Sequence, residues 1–312
     1  MKSLHPYVIR YTLITCCLVA LTQISKAQTE ADALMIPKNY FCAASMYSTN
    51  YWTNYWEGTL KRNNLNLGKV TTNAYMLGGN YGITNKLDVL FSAPYVTTKA
   101  TAGTLKGQKG VQDLNIALKW LPYQTEIGKG IFGAYVILSG SIPLSNYEPD
   151  FLPLSIGLHS ETASLRGLVN YQVGRFFVAG AAQYTIRGDV TLDRQSYYTT
   201  TLINSNRVYM PNTNNWLVST GYRSLKLNVE AIFSQGTTLG GFDIRRNDMP
   251  FPSNTMNMTT AGGLVKYSFD AVTGLELTAG GNYVLKGRNV GQATTIFGGV
   301  NYVFDFSPKN HK

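Results

Sequence analysis

The chain has 312 residues and a formal net charge of +10, yet only 14% of its residues are charged, well below the roughly 25% of soluble domains. Tyr, Phe and Trp number 21, 13 and 4, Gly numbers 30, and the mean hydropathy is −0.09. Such an aromatic-rich composition excludes a disordered chain, and beyond the N-terminus no run approaches the roughly 18 apolar residues of a spanning helix.

Residues 1–27 have the three parts of a secretory leader: Lys2 and Arg10, an apolar stretch at 11–21, then Ser25-Lys26-Ala27 with small residues flanking the cleavage position. The reading is a cleaved signal peptide and delivery to the cell envelope. Cys16 lies within the apolar stretch, not after it, which argues against a lipid-anchored start. Loss of the leader removes Cys16 and Cys17 and leaves Cys42 alone, so neither an intrachain disulfide nor a two-cysteine zinc site is expected. Lys and Arg form no cluster of the kind that binds phosphates, so nucleic acid is not an expected partner.

The mature chain divides into a polar periplasmic lead-in at 28–38, a barrel at 39–306 and a tail at 307–312. The barrel region repeats one pattern, apolar and polar residues alternating with a period of two, which is the signature of strands with one apolar face. Twelve such strands are predicted at 40–49, 70–83, 86–98, 110–121, 131–143, 161–173, 175–188, 214–223, 225–238, 256–269, 274–287 and 292–306. In the ninth, Leu227, Val229, Ala231 and Phe233 share one face and Asn228 and Glu230 the other.

A soluble sandwich buries such faces between two sheets, whereas an outer-membrane barrel turns them to lipid. Length decides between them, because runs of ten to twelve residues match the roughly 9–11 that cross a bilayer at a tilt. Aromatic ends (Tyr95, Trp120, Tyr171, Tyr184, Tyr222, Tyr267, Tyr302) suit the membrane interface. Connections alternate between tight (Thr84-Asn85, Gly174, Ser224, Val272-Thr273-Gly274) and long (98–110, 144–160, 189–213, 242–255), which predicts an even strand number and both termini in the periplasm. The expected fold is all-β: a single transmembrane, antiparallel up-and-down barrel of about 12 strands in the outer membrane. Its last strand carries Ile296, Gly298, Val300, Tyr302, Phe304 and Phe306 on one face, the kind of aromatic-ended strand that the barrel-assembly machinery recognises.

One segment carries a family resemblance. Tyr81-Gly82-Ile83-Thr84-Asn85-Lys86-Leu87-Asp88-Val89, then Ala93-Pro94-Tyr95-Val96, then the run from Gly110-Val111-Gln112-Asp113 to Lys119-Trp120 resembles the meta-pathway phenol-degradation family of outer-membrane proteins. Gln112 stands where that pattern usually has a second glycine. The resemblance covers about 40 residues and implies a barrel related in character to the long-chain fatty-acid transporters, which pass hydrophobic compounds.

On the polar faces, Asp88, Asp113, Lys119, Arg166, Arg187, Arg223, Glu230, Lys266 and Glu276 are the candidate lumen-lining residues. A structural reading pairs Asp113 with Lys119, and the cations Arg166, Arg187, Arg223 and Lys266 with Asp88, Glu230 and Glu276, stiffening the wall. A functional reading makes them a mixed-charge path for small solutes. No enzyme is expected: His159 precedes Ser160, whose side chain points the opposite way on an extended chain. No phosphate loop precedes a helix, so no nucleotide cofactor is implied. Met249, Met256 and Met258 fit strand alternation better than a soft-metal site.

The function expected is a channel or transporter for small, hydrophobic or aromatic compounds, with lipid as the surrounding partner. The alternative is a closed structural or adhesive barrel whose outer loop 189–213, with Tyr197, Tyr198 and Tyr209, binds an extracellular partner.

Overall fold

The computed structural model describes residues 29–246 and 248–308. The leader expected at 1–27 lies outside the described residues, as does most of the tail expected at 307–312. Twelve long strands run in chain order: β1 (Tyr40–Trp52), β2 (Val70–Thr84), β3 (Leu87–Ala100), β4 (Asp113–Ile127), β5 (Gly130–Pro143), β6 (Thr162–Val173), β7 (Phe176–Arg187), β8 (Thr213–Arg223), β9 (Leu227–Thr238), β10 (Asn257–Ser268), β11 (Leu275–Arg288) and β12 (Thr294–Asp305). Each pairs antiparallel with its chain neighbours, and β1 pairs with both β2 and β12. The sheet therefore closes on itself, and closure removes the edges that an open sheet would leave unpaired.

The period of two sorts side chains as expected. Leu118, Trp120, Val229 and Phe233 face outward and are 39–51% exposed, while Lys119, between the first two, and Asn228, just before Val229, are fully buried inside the barrel. An apolar belt on the outside of a barrel wants hydrocarbon, not water. Strand direction puts Trp120, Tyr171, Tyr222, Tyr267 and Tyr302 near the end that carries the tight turns, and Tyr47, Tyr75, Tyr95, Tyr184 and Tyr283 near the opposite end. These are two aromatic girdles.

Strand boundaries differ from the sequence reading most at β4, which runs on to Ile127 and turns at Gly128-Lys129. Pro122 sits in a bulge between Trp120 and Tyr123, where a residue without an N–H breaks no ladder. At the long-loop end, Asn54–Glu57 pairs with Leu60–Asn63, Val190–Thr191 with Arg207–Val208, and Tyr197–Tyr198 with Leu202–Ile203. Val190, Leu192, Tyr197, Val208, Met210 and Phe251 form a small core there, so the outer loops are a folded cap.

The lead-in expected at 28–38 does not hang outside the wall. After Asn39, which takes a left-handed turn (φ 66°), the chain read backwards runs up into the barrel. Ile36 is fully buried near Cys42 and Val303, and Ala33 packs with Leu90, Ala117, Leu121, Tyr135, Ile137 and Leu168. The apolar run Ala33-Leu34-Met35-Ile36-Pro37 is the local cause, because such residues gain by leaving water.

Candidate functional site

The inward segment is held along its length. Lys38 N–H donates to Asn85 Oδ1 at 2.9 Å and Ile36 N–H to Asp88 Oδ2 at 3.0 Å. Tyr135 donates to the Ala33 carbonyl at 3.0 Å. Arg166 Nη1 donates to the Glu30 carbonyl at 3.0 Å, and Asn115 donates to the Glu30 carboxylate. Every backbone group satisfied in this way is one that burial would otherwise leave costly.

Asp32 is the centre of the arrangement. Lys119 Nζ lies 3.1 Å from its Oδ1 and Lys266 Nζ 3.1 Å from its Oδ2. Lys119 also donates to the carbonyls of Asp32 at 2.6 Å and Thr29 at 2.9 Å. The Thr29 N–H and hydroxyl donate to Asp32 Oδ2 at 2.8 and 3.1 Å. Asp32, Lys119 and Lys266 are all 5% exposed or less. Charges buried this deeply persist only when paired and fully hydrogen-bonded.

The sequence-derived candidates divide into two groups. Asp88, Lys119, Lys266, Glu230, Glu276 and Arg223 are buried inside the barrel. Asp88 stands opposite Lys119 in the ladder, and Lys266 opposite Asn228. Glu276 accepts from Ser268 Oγ at 3.3 Å and Asn301 Nδ2 at 3.4 Å. Arg223 lies over the Phe177 ring at 4.1 Å, a cation–π contact. Arg166 donates from Nε to Gln183 Oε1 at 2.8 Å.

Asp113 and Arg187 stand at the opposite rim. Arg187 ends β7, where its backbone N–H donates to Asn212. Asp113 is not paired with Lys119, as the structural reading had it; it accepts from Tyr147 Oη at 2.6 Å. Burial and that carboxylate raise the Tyr147 hydroxyl above its ordinary pKa. The rise along a strand explains the difference, since six residues in extended conformation separate the pair by about 20 Å.

Residues missed from the sequence are Asp32, Glu30, Thr29 and Tyr135. The apolar run at 33–37, out of place in a solvated lead-in, was the available signal. Towards the long loops the lumen widens into a cavity of about 450 Å³ bordered by Ala31, Arg166, Gln183, Asn215, Asn282 and Thr295. Among the described residues, no group of three or more His, Cys, Asp or Glu side chains is placed to hold a metal ion.

No family model matches the chain, and no curated protein does. Among solved structures, it is similar to an outer membrane channel from Pseudomonas putida F1, at 16% identity and a TM-score of 0.68, over 89% of this chain and 100% of that one. It also aligns with the translocator domain of autotransporter NalP from Neisseria meningitidis, at 13% identity, a TM-score of 0.44 and coverages of 96% and 97%. A deltaS2 mutant of the TodX monoaromatic hydrocarbon channel aligns at 12% identity, a TM-score of 0.43 and coverages of 86% and 91%. The last two carry no argument at those scores, and the first is a likeness of fold: a closed, antiparallel β-barrel.

Proposed function

We infer that the protein is an outer-membrane channel for small compounds, hydrophobic or aromatic ones among them, whose lumen the segment 29–37 closes in the state described. The observation that carries this is the pairing of an apolar, aromatic-edged exterior with an interior of ionised and amide side chains. A wall with no passage inside needs no buried Lys, Asp and Glu, which cost free energy to desolvate. The motif in 81–120 supports the aromatic-compound part of the reading, and the aromatic-ended β12 supports insertion by the barrel-assembly machinery. Export is by the leader at 1–27.

Proteoliposomes containing the purified protein test it: uptake of small solutes above that of empty liposomes is expected, and sealed liposomes would count against it. The alternative, a closed barrel that binds a partner through its loops, is favoured by the complete burial of Ile36, Asp88 and Lys119 and by the folded cap. Tyr197 is buried in that cap, while Tyr198 and Tyr209 are 50% and 63% exposed and available to a partner. Deleting 189–213 abolishes surface binding with permeability unchanged if that reading holds.

A further inference from the structure

Lys119 belongs to β4 and Lys266 to β10, which lie six positions apart in a ring of twelve and so on opposite walls of the barrel. One carboxylate joins them, each ammonium taking one oxygen at 3.1 Å. The carboxylate does not come from the wall. Asp32 is brought in by a segment that belongs to no strand and that hydrogen bonds, ion pairs and apolar contacts hold in place.

Beside this head group lies an apolar patch of the inner wall. Leu90, Ala117, Leu121, Tyr135, Ile137 and Leu168 form it, and Ala33 and Met35 pack against it. The segment thus presents a carboxylate with a small apolar body next to it. We propose that Lys119 and Lys266 form a binding site for small monocarboxylic acids with an apolar body, and that Asp32 occupies this site as an internal stand-in for the solute. This rests on the channel reading and names its substrate class.

The chemistry favours a single carboxylate. Two lysine ammoniums are separate point charges, without the planar fork with which arginine grips a phosphate. Asp88, opposite Lys119 in the ladder, and Glu230, buried on β9, add negative charge nearby, which penalises a dianion. A neutral isostere would leave the two buried ammoniums without the carboxylate that bridges them. The site therefore selects by charge first and by the size of the apolar body second.

Thermal unfolding of the detergent-solubilised full chain tests this, with benzoate as the acid and benzamide as its neutral isostere. In Asp32→Ala the stand-in carboxylate is gone and the lysines no longer hold the segment, so benzoate displaces Ala33 and Met35 from the apolar patch and raises the melting temperature saturably, and benzamide does not. In Asp32→Ala/Lys119→Met/Lys266→Met the benzoate shift is lost. Asp32→Asn, of nearly unchanged shape, serves as the second variant, and folding of either variant only in benzoate also supports the site. The proposal is overturned if benzoate shifts neither variant, if benzamide shifts them equally, if the shift survives in the triple variant, or if neither variant folds even with benzoate. Benzoate binding by protein that conducts nothing would keep the site and remove the channel, and conductance without benzoate binding would do the reverse.

Discussion

Gly82 leaves the space that the backbone of Pro37 fills: a methyl group on Gly82 would lie 2.2 Å from the Pro37 carbonyl oxygen and 2.8 Å from that of Ile36. Both are backbone atoms and cannot swing aside. The glycine at the foot of β2 is therefore what lets the chain pass from the lumen into β1.

Gly82→Ala is expected to push the root of the inward segment away from the wall, costing about 1–3 kcal/mol, as overpacking does. Gly180→Ala is the control, because its nearest contact would be 3.9 Å away. Hydrogen exchange of residues 29–38 reads the result: faster in Gly82→Ala and unchanged in Gly180→Ala. Equal exchange in both would show that the segment is not seated against β2.

Removing Asp32 leaves two buried ammoniums that the segment no longer neutralises. Asp32→Ala should destabilise the barrel by about 3–5 kcal/mol, the range for breaking one partner out of a buried ion pair. Replacing both lysines by methionine in the same chain should recover much of that loss. Urea unfolding followed by gel mobility measures both, and a stable Asp32→Ala barrel would contradict the buried-pair account.

The membrane face has its own test. Val218 is on the lipid side at the middle of β8, so Val218→Arg should cost roughly 2–4 kcal/mol near the midplane. Asn282→Arg points into the lumen cavity of about 450 Å³ and should cost far less. Asn228, although it also faces inward, is fully buried opposite Lys266 and would not tolerate a second cation. If Val218→Arg folds as well as Asn282→Arg, the inside and outside assignments are reversed.

Acidification should loosen the loop cap. Asp243 accepts from Arg288 Nε and Nη2 and from Asn289 Nδ2, each at 2.7 Å, and the Arg288 hydrogen bonds hold its carboxyl below the ordinary carboxylate pKa. A depressed pKa means that the contact contributes fully above the unfolded value, near 4, and is lost as pH falls through the lower folded one. Amide exchange in 239–256 should accelerate over that acidic window in the wild type. In Asp243→Asn it should be fast at every pH.

Strand count, closure and faces were all legible, because an alternation as regular as that in β9 leaves a single register that keeps Glu230 out of hydrocarbon. The tight turns at Asn85, Gly174 and Ser224 were legible for the same reason. The identity of the partners inside the lumen was not. Lys119 and Asp113 look like neighbours on one polar row, but strand geometry sets them far apart, and Lys119 is completed by a residue 87 positions away in sequence. Asp32 was hidden because period-two reading says nothing about a segment that belongs to no strand. Only the apolar run that comes after it marks the segment as buried.

A conducting barrel closed by its own residues 29–37 should open when those residues are removed. Single-channel recording in planar bilayers, comparing the full chain with one lacking 29–37, measures this. Small or rare openings are expected for the full chain, and a larger, steady conductance once the segment is gone. Equal conductance in the two, or none from a folded chain without the segment, would contradict closure by the segment.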